Sequence, residues 1–169
     1  MKIVVRQNKD VPPYWELIND NLLFVSPAFE HGDDCIEALE KFTTLIKTPV
    51  FIESDGKCVD ENLASENSVT VVLREIKSCW VWSLFYVFDD KPAKIYGFTG
   101  DKNKTKEQAQ SDAQLFCDLI YKAKIYDGYN VLISASRFSL RYAREHGIKD
   151  IHPSSKFYKL TGRVNIFDT

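Results

Sequence analysis

The chain has 169 residues and a mass of 19.5 kDa, and its residues are 44% hydrophobic, 13% aromatic and 27% charged. This composition excludes disordered, collagen-like and low-complexity chains and predicts one domain with its own core. The formal net charge is −2, and no apolar run reaches the ~18 residues that cross a bilayer. Because Met1–Arg6 also lacks the long apolar stretch of a signal peptide, we expect a cytoplasmic protein that does not contact a membrane.

The hydrophobic periodicity predicts strands and helices along the whole chain. In chain order these are strands at Ile3–Val5, Tyr14–Ile18 and Leu22–Val25, a helix over 34–47, strands at Val50–Glu53, Val69–Ile76, Trp80–Phe88 and Lys94–Thr99, a helix over 105–124, a strand at Asn130–Ser134, a short helix ending at Glu145, and one or two strands within Lys156–Phe167. This order predicts an α+β fold: antiparallel sheets, two main helices packed on one face, and a C-terminal strand–helix–strand extension.

Turn residues join the predicted strands into hairpins. Asn19-Asp20-Asn21 separates the second and third strands, and Asp89–Pro92 separates the two strands before the long helix. Asp55-Gly56, between Val50–Glu53 and Val59, is a strong short-range hairpin signal. A third hairpin is therefore predicted there.

The helix over 105–124 has the clearest signals. Thr105 and Gln108 match a capping box, in which the Thr hydroxyl and the Gln side chain each accept a hydrogen bond from a backbone amide of the first turn. Behind them, apolar residues recur every three or four positions, at Ala109, Ala113, Phe116, Cys117, Ile120 and Ala123. One face of this helix is expected to pack against a sheet.

A hairpin followed by a helix is predicted twice, and each copy begins with Trp-x-Leu. The first starts at Trp15-Glu16-Leu17 and the second at Trp82-Ser83-Leu84. Because such a unit cannot bury its apolar faces alone, the two are expected to combine in one domain. Within that single domain, 1–169, the predicted parts are a first unit 1–60, a second unit 69–126 and a C-terminal extension 127–169.

This order of Trp-x-Leu, turn, apolar strand and capped helix resembles the ββα-repeat domain of unknown function in YegP-type bacterial proteins. The resemblance covers 14–46 and 80–124, about half of the chain. It implies a fold made of two such units and implies no activity, because function does not follow from fold.

Charge is unevenly distributed along the chain. Residues 1–70 carry 6 basic and 13 acidic side chains, whereas 71–169 carry 16 basic and 11 acidic ones. The acidic half favours a basic protein partner. The candidate contact residues are Phe29, as an apolar anchor, and Glu30, Asp33, Asp34, Glu37, Asp55, Asp60 and Glu61. The basic cluster within 136–163 could instead attract phosphates, or it is a solvated helix face with a charged loop. Its members are Arg137, Arg141, Arg144, Lys149, Lys156, Lys159 and Arg163.

No motif for catalysis or cofactor binding stands out, and no cofactor is expected. The cysteines, Cys35, Cys58, Cys79 and Cys117, are too widely spaced for a CxxC metal site and are expected to be reduced thiols, mostly buried. The segment Glu30–Asp34 offers metal ligands, but most such clusters are the acidic entry to a helix, so no metal site is expected. Gly97–Gly100 matches no phosphate-binding loop. The remaining candidates for chemistry are His146 and His152 with the hydroxyls and cations around them.

These observations favour a non-enzymatic protein that binds a basic protein partner and inhibits or modulates it. Immunity proteins for bacterial toxins and phage-encoded inhibitors of host systems are of this kind. The alternative is a single-stranded nucleic-acid-binding protein that uses the basic 136–163 region and sheet aromatics. Those aromatics are Trp80, Trp82, Phe85, Tyr86, Tyr96 and Phe98. A small transferase is third, because Ser155–Gly162, which contains Lys156–Leu160, resembles the last strand of GNAT acetyltransferases, although the glycine-rich acetyl-CoA loop of that family is missing from the sequence. The sequence leaves the oligomeric state open.

Overall fold

A computed structural model describes residues 1–7, 10–57, 59–65, 67–100, 102–128 and 132–134, and within them the fold is α+β, as predicted. The elements, in chain order, are β1 Lys2–Arg6, β2 Tyr14–Asn19, β3 Asn21–Val25, α1 Gly32–Leu45, β4 Val50–Glu53, a short 3-10 turn Asp60–Leu63, β5 Thr70–Ile76, β6 Cys79–Phe88, β7 Lys91–Phe98, α2 Lys106–Tyr121, β8 Lys124–Asp127 and β9 Leu132–Ser134. Neither helix in this part of the chain is long and apolar enough to cross a membrane.

The chain divides into two compact units. The first comprises Met1–Lys41 and the described residues after Tyr121, and the second comprises Phe42–Tyr121. The boundaries therefore fall within α1 and directly after α2, whereas the sequence pattern placed them in the loop 60–68 and near residue 126. The difference arises because β4 pairs with β5 and β8 pairs with β1, which groups strands by long-range pairing rather than by chain order.

The first unit contains a sheet in the order β3-β2-β1-β8-β9. β1, β2 and β3 form an antiparallel meander, β8 runs parallel to β1, and β9 is antiparallel to β8. Ile3 lies opposite Leu17 and Val5 opposite Trp15, and all four side chains are buried. This face of the meander forms the core of the first unit.

The second unit contains a sheet in the order β4-β5-β6-β7, with α2 packed on β5 and β6. β5, β6 and β7 form an antiparallel meander. Its two turns have pairs of residues with positive φ: Lys77 and Ser78 at 50° and 63°, and Asp89 and Asp90 at 45° and 64°. These values are typical of the tight turns that match the twist of paired strands. The turn between β6 and β7 consists of Asp89 and Asp90 only, and is shorter than the predicted Asp89–Pro92. Pro92 lies in β7, at the edge of the described sheet, where its missing N–H is tolerated.

Two predictions of local structure are wrong. The predicted hairpin at Asp55-Gly56 does not form, because β4 pairs in parallel with β5 instead of folding back on the residues that follow it. Gly56, with φ at 76°, only turns the chain out of the sheet. The predicted helix over 105–124 ends at Tyr121, and Lys124–Asp127 is a strand that pairs with β1.

The predicted duplication of a hairpin and a helix is present. In each hairpin the Trp and the Leu of Trp-x-Leu are buried, and the strand register shifts directly after the Leu. The ring across from that Leu contacts the Trp in both copies, with centroids 5.3 Å apart for Trp15–Phe24 and 5.4 Å for Trp82–Tyr96. Each copy also has a strand before it and a strand after its helix. The repeated pattern is therefore β1-β2-β3-α1-β4 and β5-β6-β7-α2-β8.

The predicted C-terminal extension is described only in part. Its first strand, predicted at Asn130–Ser134, is seen as β9. The short helix ending at Glu145 and the strands within Lys156–Phe167 lie outside the described residues.

Candidate functional site

A groove on the second unit runs between α2 and β4. It encloses about 490 Å³ and is open to solvent. Its lining consists of Phe51 from β4 and one flank of α2, namely Glu107, Gln110, Ser111, Gln114, Leu115 and Asp118. The helical residues are spaced by one, three or four positions, so they share one side of the helix, away from the side that packs on the sheet.

The start of α2 is fixed by the predicted capping box. The Gln108 N–H donates to Thr105 Oγ1 at 3.2 Å, and Gln108 Oε1 accepts from the backbone N–H groups of Thr105 at 3.2 Å and Lys104 at 2.7 Å. These bonds satisfy amides that a helix leaves without partners in its first turn. The helix therefore begins at a defined residue, which sets the position of every groove residue along it.

The rotation of α2 about its axis is fixed by Asp112. Trp82 Nε1–H of β6 donates to Asp112 Oδ2 at 2.9 Å, and Lys102 Nζ donates to Oδ1 at 2.7 Å. Burial opposes ionisation of this carboxyl, but the hydrogen bonds from Lys102 and Trp82 outweigh it and lower its pKa. Asp112 therefore remains a carboxylate that ties α2 to the sheet, on the side of the helix opposite the groove.

An aromatic cluster fills the space beneath α2. Phe116 contacts Trp82 and Tyr96, with ring centroids 5.4 Å and 4.4 Å away, and Phe98 lies 6.3 Å from Trp82. Trp82 is only 2% exposed. Three of the rings considered for stacking on nucleic-acid bases thus pack against α2 or against each other, and Phe85 and Tyr86 are also buried. Trp80 is half-buried, with Lys106 Nζ 6.0 Å from its ring centroid.

The charged positions of the groove are acidic, and its other residues are a mixture of polar and apolar side chains. Glu107 and Asp118 are its charged side chains, and no basic residue lines it. The backbone N–H of Glu107 and the Thr105 side chain donate hydrogen bonds that lower the pKa of Glu107, so it is ionised at neutral pH. Leu115 is 60% exposed, and Phe51 is half-buried. The groove thus combines apolar surface from Phe51 and Leu115, uncharged polar side chains and two carboxylates, which suits a ligand that carries both apolar and cationic groups.

Comparisons with protein-family models, with curated proteins and with solved structures give no match.

The acidic residues predicted near the start of α1 lie in the first unit. Glu30, Asp34 and Glu37 are exposed, and Asp33 is half-buried in the first helical turn. Phe29, in contrast, is 8% exposed, and its N–H donates to the Pro13 carbonyl at 2.8 Å. Its ring belongs to the core of the unit and does not offer an apolar anchor to a partner.

The other predicted acidic residues lie in the second unit and have local roles. Asp55 accepts hydrogen bonds from the backbone and the side chain of Lys57, which lower its pKa. Asp60 forms an ion pair with Arg74 of β5. Glu61 is exposed in the 3-10 turn. The predicted acidic set is thus distributed over both units.

The basic cluster proposed for nucleic-acid binding lies outside the described residues. This applies to Arg137, Arg141, Arg144, Lys149, Lys156, Lys159 and Arg163, and to the candidate histidines His146 and His152. Among the residues that are described, no group of three or more His, Cys, Asp or Glu side chains is placed to hold a metal ion, and Glu30–Asp34 does not form one.

Two of the cysteines have properties of inert, buried thiols. Burial and the neighbouring carboxylates, Asp34 and Asp118 respectively, raise the pKa values of Cys35 and Cys117 to about 12. Cys79 is half-buried, with Lys104 Nζ 3.5 Å from its sulfur. Cys58 lies outside the described residues.

Sequence reasoning missed the groove. Its helical flank carries Leu115, which lies off the predicted apolar stripe of α2, and Leu119, one turn further on, is also exposed. Exposed leucines on the polar side of an amphipathic helix are the signal that could have indicated a contact surface. The contribution of Phe51 could not have been seen, because it depends on β4 becoming an edge strand close to α2.

Proposed function

We propose that this protein binds a basic protein partner through the groove between α2 and β4, and inhibits or modulates that partner without catalysing a reaction. The observation that carries the proposal is the lining: its charged groups are the carboxylates of Glu107 and Asp118, and its apolar surface comes from Phe51 and Leu115. The remaining lining residues, Gln110, Ser111 and Gln114, are polar and uncharged. An immunity protein or a phage-encoded inhibitor would act in this way.

The two kinds of surface have different roles in such an interaction. Apolar side chains that become buried at the centre of an interface supply most of the affinity. Carboxylates at its rim guide the approach of a positively charged partner and select it over neutral or acidic proteins. A groove with both features favours a partner whose contact segment alternates apolar and basic side chains.

The test compares two sets of charge reversals. Glu107→Lys with Asp118→Lys changes the groove, and Asp34→Lys with Glu37→Lys changes exposed acids of the first unit by the same total charge. Partners captured from a cell extract by the unmodified protein would be purified, and their association rates measured against both variants at low salt. We expect the groove variant to associate about tenfold more slowly or worse, and the first-unit variant to change the rate less. Equal rates for the unmodified protein and the groove variant would contradict the proposal.

The groove variant also separates the nucleic-acid alternative, if oligonucleotide binding is measured at several salt concentrations. A phosphate backbone would be repelled by the groove carboxylates, so we expect no groove-dependent binding of a single-stranded oligonucleotide. If an oligonucleotide binds, with an affinity that falls steeply as salt rises and is unaffected by the groove variant, the nucleic-acid function is favoured instead.

A further inference from the structure

The two copies of the repeat place equivalent strands at equivalent positions in the two sheets. β8 follows the second helix and runs parallel to β1, the first strand of the first meander. β4 follows the first helix and runs parallel to β5, the first strand of the second meander. β4 and β8 are therefore counterparts.

The outer edges of these counterparts differ. β8 has β9 on its outer edge as an antiparallel fifth strand. β4 is the last strand of its sheet within the described residues. The first sheet thus provides a template for what fits beside β4, namely one short extended segment running antiparallel to it.

The hydrogen-bonding pattern shows which backbone groups of β4 face outward. The N–H of Val50 donates to the Val69 carbonyl and the N–H of Ser54 to the Leu73 carbonyl, both at 2.8 Å. In a parallel pair, alternate residues direct both of their backbone groups to the neighbouring strand. Val50, Ile52 and Ser54 therefore bond β5, and the N–H and C=O groups of Phe51 and Glu53 point to the outer edge, which has no neighbouring strand among the described residues.

The side chains of Phe51 and Glu53 point to the α2 side of the sheet. Phe51 lines the groove, and Glu53 forms an ion pair with Lys106 of α2. A residue of an added strand directly opposite either of them would extend its side chain to the same side, because directly paired residues share a face. None of the four β4 side chains is buried, and Val50 is 45% exposed.

We propose that an extended segment of the partner adds to β4 as an antiparallel fifth strand, with alternate side chains entering the groove. This rests on the proposed function and specifies how the partner is recognised. An apolar side chain opposite Phe51 would pack against it and Leu115. A lysine or arginine opposite Glu53, or two positions further along on the same face, would meet the carboxylates of Glu53, Glu107 or Asp118.

A peptide with Lys, Val and Lys on one face, Thr-Lys-Thr-Val-Thr-Lys-Thr, provides a defined probe. Its binding to the full chain would be measured by fluorescence anisotropy with a label at one end. N-methylation of the Val and one Lys removes the N–H groups that would pair with Phe51 and Glu53. N-methylation of two Thr residues leaves those groups intact and is the matched control. We expect the first modification to weaken binding about tenfold or more and the second to weaken it several-fold less.

A variant of the protein tests the backbone hydrogen bond that the N–H of Glu53 would donate to the added strand. Glu53→Pro removes an outward N–H and no bond to β5, and proline is tolerated on an edge strand. Glu53→Gln keeps the N–H and supplies the reference value. Relative to it, we expect Glu53→Pro to bind the peptide about three- to tenfold more weakly while its melting temperature stays close to the reference.

The outcomes separate the two proposals. If both N-methylations weaken peptide binding equally, strand addition is overturned. The proposed function still stands in that case if the Glu107→Lys, Asp118→Lys variant no longer binds the unmodified peptide. A third peptide, with Glu in place of both Lys residues, serves as the charge control. If the Lys peptide binds no more strongly than this Glu peptide, both strand addition and the proposed function are overturned. Protection of the Phe51 and Glu53 amides from hydrogen exchange by the unmodified peptide would support strand addition.

Discussion

Replacing Asp112 by alanine tests how α2 is held on its sheet. The carboxylate accepts a hydrogen bond from Trp82 Nε1–H at 2.9 Å, and the Trp82 side chain is 2% exposed. Water cannot readily replace the lost acceptor, so a buried donor is left without a partner. Breaking a hydrogen bond to a charged group and leaving its partner unsatisfied costs about 1.5–3 kcal/mol. The ion pair with the exposed Lys102 adds less than ~1 kcal/mol because solvent screens it.

We therefore expect Asp112→Ala to lower the free energy of unfolding by about 2–3 kcal/mol. Urea titration followed by tryptophan fluorescence and by circular dichroism measures this value. Asp118→Ala is the control: it lies on the same helix, accepts a hydrogen bond from Gln114, and should lose less than ~1 kcal/mol. Similar losses in the two variants would refute the role assigned to Asp112.

The pH dependence gives a second readout of the same contact. The pKa of Asp112 is lowered in the folded protein, below the value of about 3.9 for an aspartate in an unfolded chain. Its charged form therefore contributes stability at pH values above the unfolded pKa, and that contribution is lost as pH falls through the folded pKa. The stability difference between the unmodified protein and Asp112→Asn should be largest near neutral pH and shrink in acid. A difference that stays constant would contradict the argument.

Two further predictions concern a turn and a thiol. Asp90 has φ at 64° in the turn between β6 and β7, a conformation that glycine adopts readily and a β-branched residue does not. Asp90→Gly should therefore raise the free energy of unfolding by about 0.5–1 kcal/mol, and Asp90→Val should lower it. The opposite order in urea titrations would count against the assigned turn. At pH 8, iodoacetamide should modify Cys79 in the folded protein well before Cys35 and Cys117. The raised pKa values of about 12 reduce the thiolate fraction of the latter two by about a thousandfold, and peptide mapping that shows equal labelling would exclude their burial.

Local patterns in the sequence predicted most of the individual elements. Alternation identified β2, the local hydrophobic pattern identified β5 and β6, and the capping box with its apolar stripe located α2. These succeed because the residues that determine them are neighbours in the chain. The paired Trp-x-Leu motifs indicated the duplicated hairpin and helix for the same reason.

The two parallel pairings could not be predicted in this way. β4 has four residues and an Asp-Gly dipeptide nearby, so a hairpin was the better local interpretation. Its actual partner, β5, begins at Thr70, and the intervening residues carry no sign of this pairing. The predicted helix extends to residue 124 because Ile120 and Ala123 continue its apolar spacing, and no strand is predicted at Lys124–Asp127. Pairing with β1 overrides that local preference.

The candidate site depends on these long-range pairings and was therefore not found from sequence. The groove exists because β4 forms a sheet edge beside α2, and its outward backbone groups follow from bonding β5 in parallel. Composition indicated an acidic contact surface. Asp55 and Asp60 form local bonds, so charge alone did not identify which acids are available to a partner. Phe29 is buried, so the predicted apolar anchor is not exposed either.

The parallel pairing of β1 with β8 has a consequence for synthesis of the protein on the ribosome. β1 begins at Lys2, but the strand that covers its second edge begins at Lys124. In a nascent chain, the apolar segment Ile3–Val5 therefore has one strand edge without a partner until the ribosome has synthesised Lys124–Asp127. The first sheet therefore closes late, and the second edge of β1 stays unpaired through most of translation.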